Sequence, residues 1–143
     1  MSSNEVADPV RRRTGGRSAR VRDAVLQAAL QAMAEHGLGG VSISEIARGA
    51  GVHASSIQRR WGTRENVMLD ALLTYSQEKL PIPDTGALRG DLVAFGRSIA
   101  GYLATPLGEA VAHTMAATDD DPALAAGRTR FWQSRYDTAR VII

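Results

Sequence analysis

Apolar residues recur at helical intervals along most of the chain, and the breaks between runs fall at residues that stop helices. Val21, Val25, Ala28, Ala29, Ala32 and Met33 make one stripe from about Ser18 to His36, closed by Gly37, Gly39 and Gly40. Ile43, Ile46, Ala47 and Ala50 make a second stripe, opened by Ser42 and closed by Gly51. Ser42 with Glu45 has the capping-box spacing, in which each side chain satisfies an amide that a helix start leaves unpaired. A third short helix follows at once and ends at Trp61. A fourth opens at the cap Thr63, runs through Val67, Leu69, Leu72, Leu73 and Ser76 toward Leu80, and stops at Pro81 and Pro83. Leu92, Phe95, Ile99, Tyr102 and Leu103 predict a helix over 88–104. Thr105-Pro106 opens another through Met115, and Asp121-Pro122 a last one toward Ile143. Each of these starts carries a cap or a first-turn proline. With no alternating strand pattern and no Asn-Gly hairpin turn, the predicted fold is all-α.

The second and third helices carry the most specific spacing. Ala47, Gly51 and Ile57 read Ala-x3-Gly-x5-Ile, in which a small residue lets two helices approach, glycine makes the bend and an aliphatic side chain locks the pair. This is a helix-turn-helix pattern. Turning the third helix at roughly 100° per residue puts Ile57 and Trp61 on the inner face. Ser55, Gln58 and Arg59 then point away, with Ser56 and Arg60 on the flanks. Hydroxyl, amide and guanidinium donors suit phosphates and major-groove base edges. A solvated helical hairpin has the same spacing, and spacing alone does not separate the two readings.

Charge shifts the balance. The net charge is +2, yet residues 1–64 hold ten Arg against five acids, whereas the remainder holds seven Lys and Arg against ten acids. A basic end carrying the helix pair and an acidic remainder are expected when only one end meets a polyanion. Arg11, Arg12, Arg13, Arg17, Arg20 and Arg22 concentrate that charge in the lead-in. Residues 1–17 are therefore expected to be a flexible arm, one that follows a phosphate backbone or a minor groove, or one that only solubilises the chain.

From Val21 to Leu73 the chain resembles the DNA-binding domain of the TetR family of bacterial transcriptional regulators. The resemblance is carried by Gly37, Ser42, Ile46 to Val52, Trp61 and Arg64-Glu65. It implies an amino-terminal three-helix head over 18–64 and a helical effector-binding and dimerisation body over 65–143. It carries duplex-contact roles onto Ser42, Ser55, Ser56, Gln58, Arg59 and Arg64, and His53, Arg60 and Thr63 complete the candidate DNA-binding set. Two positions depart from the family's pattern: His53 replaces the usual Ser or Thr cap of the recognition helix, and Gln58 replaces a phosphate-contacting Tyr. Both still donate hydrogen bonds. His53 is open to capping the helix, touching the DNA backbone or standing in solvent. The resemblance also implies that the fourth helix transmits effector binding to the reading head.

In the body, Phe95, Tyr102, Phe131, Trp132 and Tyr136, with Arg97 and His113, are candidates to line a cavity for a small apolar or aromatic effector, although core packing explains any one aromatic as well. The candidate ligand-binding residues are Phe95, Arg97, Tyr102, His113, Trp132 and Tyr136. The last helix is still in its apolar period at Val141, Ile142 and Ile143, so a continuation or a buried end is expected. The family resemblance and the need for two reading heads imply a homodimer.

Other classes find no residues. There is no Cys, and His36, His53 and His113 are scattered, so no metal or cofactor is expected. Phosphate loops, nucleophile elbows and His-Glu-x-x-His helices are absent, and Asp119, Asp120 and Asp121 read as a helix start, so no enzymatic activity is expected. No apolar run approaches a membrane span and the amino terminus lacks the apolar core of a signal peptide, so a cytoplasmic protein is expected. The expected function is a ligand-responsive repressor that binds double-stranded operator DNA and is released by a small-molecule effector. The alternative is a helical protein-protein interaction module that does not read DNA.

Overall fold

A computed structural model describes residues 14–116 and 122–140, and every described regular element is helical. The helices are α1 (Thr14–His36), α2 (Ile43–Ala50), α3 (Ala54–Trp61), α4 (Arg64–Lys79), α5 (Leu88–Leu103), α6 (Pro106–Ala116) and α7 (Pro122–Ala139), with a 3-10 turn at Leu38–Gly40. The all-α expectation holds. The first helix begins at Thr14, earlier than the Ser18 that periodicity gives, because Gly15 and Gly16 are accommodated inside its solvent-facing first turn. The expected arm at 1–17 thus overlaps α1, and residues 1–13 lie outside the described residues, as do Asp119 to Asp121 and Val141 to Ile143.

The long α1 is the hub. Its stripe of Val25, Leu26, Ala29, Leu30, Ala32 and Met33 is buried, and α2, α4 and α6 all pack on it. Met33, Ile46, Ile57, Val25, Val41 and Val67 are almost wholly removed from water, so one core joins α1 to α4. Burial of such side chains contributes about 1.5–3 kcal/mol each. Leu107 and Val111 of α6 and Leu124 and Phe131 of α7 extend the same core.

Caps fix where the helices begin. The Ser42 hydroxyl accepts from the Glu45 amide at 3.2 Å and that of Thr63 from the Asn66 amide at 3.3 Å. The expected capping box is only half made, because the Glu45 carboxylate turns instead to His36 Nε2 at 2.6 Å and joins α2 to the end of α1. Gly51 ends α2 at φ 67, in the left-handed region, and its amide bonds back to Ala47 and Arg48 carbonyls. The expectation that every body helix opens on a cap or proline fails at α5. Its N-cap is Ala87, and the buried carboxylate of Asp91, one turn in, accepts instead from the Thr85 amide and hydroxyl at 2.6 and 2.7 Å. The α5–α6 corner opens on Thr105, whose hydroxyl accepts from the Gly108 amide at 3.1 Å. A Cβ at Gly108 would lie 1.9 Å from the Tyr102 carbonyl oxygen, so only glycine allows this approach.

Candidate nucleic-acid interface

The α2–turn–α3 unit presents one helix outward. Ile57 is fully buried and Trp61 half-buried against the core, while Ser55, Ser56, Gln58, Arg59 and Arg60 are exposed, as the helical rotation predicts. Ser55, Ser56, Gln58 and Arg59 make no side-chain hydrogen bond to any described residue, which leaves their donors available at the surface. His53 occupies the N-cap of α3 without capping it: its side chain makes no cap bond, and its carbonyl accepts from the Ser56 amide at 3.0 Å. The capping option for His53 is therefore closed, and the imidazole is exposed beside the reading face. Ser42 and Thr63 are exposed at the starts of α2 and α4, with their hydroxyls engaged as caps.

Two arginines of the candidate set are tied into the protein. Arg60 lies over the Trp61 ring at 5.1 Å and donates to the Ser18 carbonyl and hydroxyl at 3.4 and 3.3 Å, joining α3 to α1. Arg64 is neither a free phosphate hand nor an unpartnered surface cation. Its Nε donates to Glu65 at 2.9 Å and its Nη1 to the Gly39 and Val41 carbonyls at 3.0 and 2.8 Å, so it pins the loop before α2. A planar guanidinium with donors on several edges suits that task.

The end of α3 is held by residues that hydrophobic periodicity does not detect. Trp61 Nε1 donates to Asp70 Oδ2 at 2.9 Å, and Asp70 Oδ1 accepts from Arg22 Nη2 of α1 at 2.7 Å. Asn66 Nδ2 donates to the Trp61 carbonyl at 2.8 Å. One signal was available in the sequence: Trp at the aromatic position brings an N–H that needs a partner when half-buried, and Asp70 is a carboxylate among the apolar residues of α4.

The six candidate effector residues are divided among separate surroundings. Tyr102 packs on Tyr75 with ring centres 5.5 Å apart, and burial, with Tyr75 beside it, pushes its phenol up to about 12. Phe95 lies under the Arg135 guanidinium at 5.8 Å, and Arg97 is exposed on α5. Trp132 and Tyr136 are 49% and 68% exposed, because they occupy the face of α7 turned away from Leu124 and Phe131. His113 lines an open groove of about 410 Å³ with Gly37, Leu38, Pro106 and Glu109. A cavity of about 30 Å³ between α4 and α7, lined by Met68, Leu72, Leu124 and Phe131, has room for a water or two and not for a drug-sized molecule. No group of three or more metal-ligating side chains occurs among the described residues, and no helix among them is long and apolar enough to cross a membrane.

A helix-turn-helix that turns a polar, basic third helix to solvent on an all-helical core defines the class of helix-turn-helix DNA-binding folds. The chain belongs to the TetR family: residues 25–71 match the sequence profile of bacterial regulatory proteins of the tetR family, and residues 82–143 match that of the tetracyclin repressor-like C-terminal domain. It is 38% identical over 127 residues to the HTH-type transcriptional regulator AqdR of Rhodococcus erythropolis, covering 89% of this chain and 61% of the relative. It is 31% identical over 121 residues to the uncharacterized HTH-type transcriptional regulator YdeS of Bacillus subtilis (strain 168), covering 84% and 61%. Among solved structures it is similar to the TetR family transcription regulator SCO0332, with a TM-score of 0.70 at 26% identity over 86% of this chain and 69% of that one. The chain thus spans about three-fifths of the length of the curated relatives it matches. These relatives are regulators and not enzymes.

Proposed function

We propose that the chain acts as a ligand-responsive transcriptional regulator in the cytoplasm: a homodimer that represses by binding operator DNA through two copies of α3 and is released by a small-molecule effector. The observation that carries the reading is the outward face of α3, where Ser55, Gln58 and Arg59 stand free on a helix pinned from behind by Ile57 and Trp61. Family membership supports the DNA target, the dimer and the effector. The working division is a basic lead-in at 1–17, of which residues 14–17 already belong to α1, a reading head at 18–64 and a regulatory body at 65–143. DNA contacts fall to Ser55, Ser56, Gln58 and Arg59, with Ser42, His53 and Thr63 beside the backbone and Arg60 and Arg64 positioning the head.

The test is an anisotropy titration with duplex DNA from beside the protein's own gene. Specific binding that falls steeply with salt is expected, and Gln58→Ala or Arg59→Ala should weaken it by roughly tenfold. Binding indifferent to sequence at moderate salt would overturn the reading. A thermal-shift panel of small molecules tests the switch, because effector and operator binding must be negatively coupled. If every stabilising compound leaves DNA affinity unchanged, the effector part fails.

A further inference from the structure

The reading helix is anchored weakly by its own packing. It has only eight residues, Ile57 is its one buried side chain, and it joins α4 through Gly62 at φ 81 and an extended Thr63. A link of that kind leaves the angle between α3 and α4 under-determined by the backbone. The angle decides which base edges the outward side chains meet, so something else has to set it.

We propose that Asn66 and Asp70 of α4 are positioning residues for DNA reading: they grip Trp61 from two sides and fix the exit of α3, and Arg130 of α7 ties that grip to the body. The proposal rests on the DNA-reading function above. Asp70 takes the indole N–H at 2.9 Å while its other oxygen is held by Arg22 at 2.7 Å, so the carboxylate is oriented from α1 as well as from α4. Asn66 takes the Trp61 backbone carbonyl at 2.8 Å with its amide nitrogen and accepts from Arg130 Nη2 at 3.3 Å with its amide oxygen. One orientation of the amide satisfies a carbonyl on one side and a guanidinium on the other, and the reverse satisfies neither. The side chain and backbone of a single residue at the end of α3 are thereby fixed by consecutive turns of α4. Arg130 continues the hydrogen-bonded path from the recognition helix to α7, 64 residues further along the chain. A phenylalanine at position 61 would fill the same space with no N–H to be held.

The experiment uses the full chain and two duplexes of equal length: one enriched from a random pool by the unaltered protein, and a scrambled version of it. The quantity read is the ratio of affinities for the two, together with the melting temperature of each variant. Trp61→Phe keeps the ring and removes the indole donor. Asn66→Asp keeps shape and the Arg130 contact but turns an acceptor toward the Trp61 carbonyl. Each is expected to lower the ratio roughly five- to tenfold while affinity for the scrambled duplex stays within about twofold, because phosphate-facing groups are untouched. Arg130→Ala, which leaves the Trp61 bonds intact, should lower the ratio about twofold. A merely structural role would reduce binding to both duplexes in step with a fall in melting temperature, and that result overturns the proposal. So does an unchanged ratio in both Trp61→Phe and Asn66→Asp when the unaltered protein discriminates. If the unaltered protein enriches no sequence, the DNA-reading function fails first and the positioning role falls with it.

Discussion

The helices up to α4 and those beyond it bury their apolar residues to very different degrees. In α1 to α4 the periodic residues converge, and six large side chains there are almost wholly buried. Beyond α4, α6 and α7 each give two core residues, while Leu88, Leu92, Val93, Leu103, Trp132 and Tyr136 of α5 and α7 are exposed. All the large exposed apolar residues among those described thus belong to two helices of the body. The contrast teaches that α1 to α4 form the dense centre of one shared core, to which α6 and α7 add a few residues, and that the outward residues of α3 are polar by position. The body presents apolar stripes that the described residues do not cover.

The sharpest way to break this contrast is to cut one residue from each region. Ile57→Ala empties a fully buried site and is expected to cost about 2–5 kcal/mol, whereas Leu92→Ser on the exposed stripe of α5 should change stability by no more than about 0.5 kcal/mol. Urea unfolding followed by circular dichroism reads both. Equal losses would mean that the α5 stripe is as buried in solution as the head core.

A smaller effect is expected at the corner that turns the chain within the body. Gly108→Ala forces a Cβ onto the Tyr102 carbonyl and should destabilise by about 1–3 kcal/mol, because backbone rather than a flexible side chain has to yield. A melting temperature equal to that of the unaltered protein would show that the α5–α6 corner is looser than described.

The smallest effect is confined to alkaline pH. The phenol of Tyr102 is raised from 10.0 to about 12 by burial first and by Tyr75 second. The fold favours the neutral form, so this contribution is fully present below pH 10 and is lost as pH rises toward 12. Tyr102→Phe should remove that part of the alkaline decline in stability and leave the neutral-pH value nearly unchanged. A decline over the same pH window identical in the two proteins would show that Tyr102 is accessible.

Much of the head was legible in the sequence because its determinants are local. Ser42, Gly51 and Thr63 mark helix ends by their own chemistry, and the position of Ile57 against Ser55 and Arg59 follows from helical rotation alone. What was not legible is polar and long-range. Glu45 bonding to His36 instead of closing its capping box, Arg64 reaching Gly39 and Val41, and Asp70 receiving Trp61 all depend on which helices become neighbours. Asp91 substituting for a missing cap on α5 is local, but it acts from inside the helix, where a cap is not sought. In the body, aromatic content marked Phe95, Tyr102, Trp132 and Tyr136 without saying which face of each helix would turn inward.

The Trp61–Asp70 bond places one of the chain's two indoles at the seam between the recognition helix and the helix behind it. Indole emission responds to a neighbouring carboxylate and to water, so this ring is a built-in optical gauge of the seam. With Trp132 on the exposed face of α7 changed to phenylalanine, the protein would report through Trp61 alone whether a bound compound or duplex shifts the recognition helix, with no label attached.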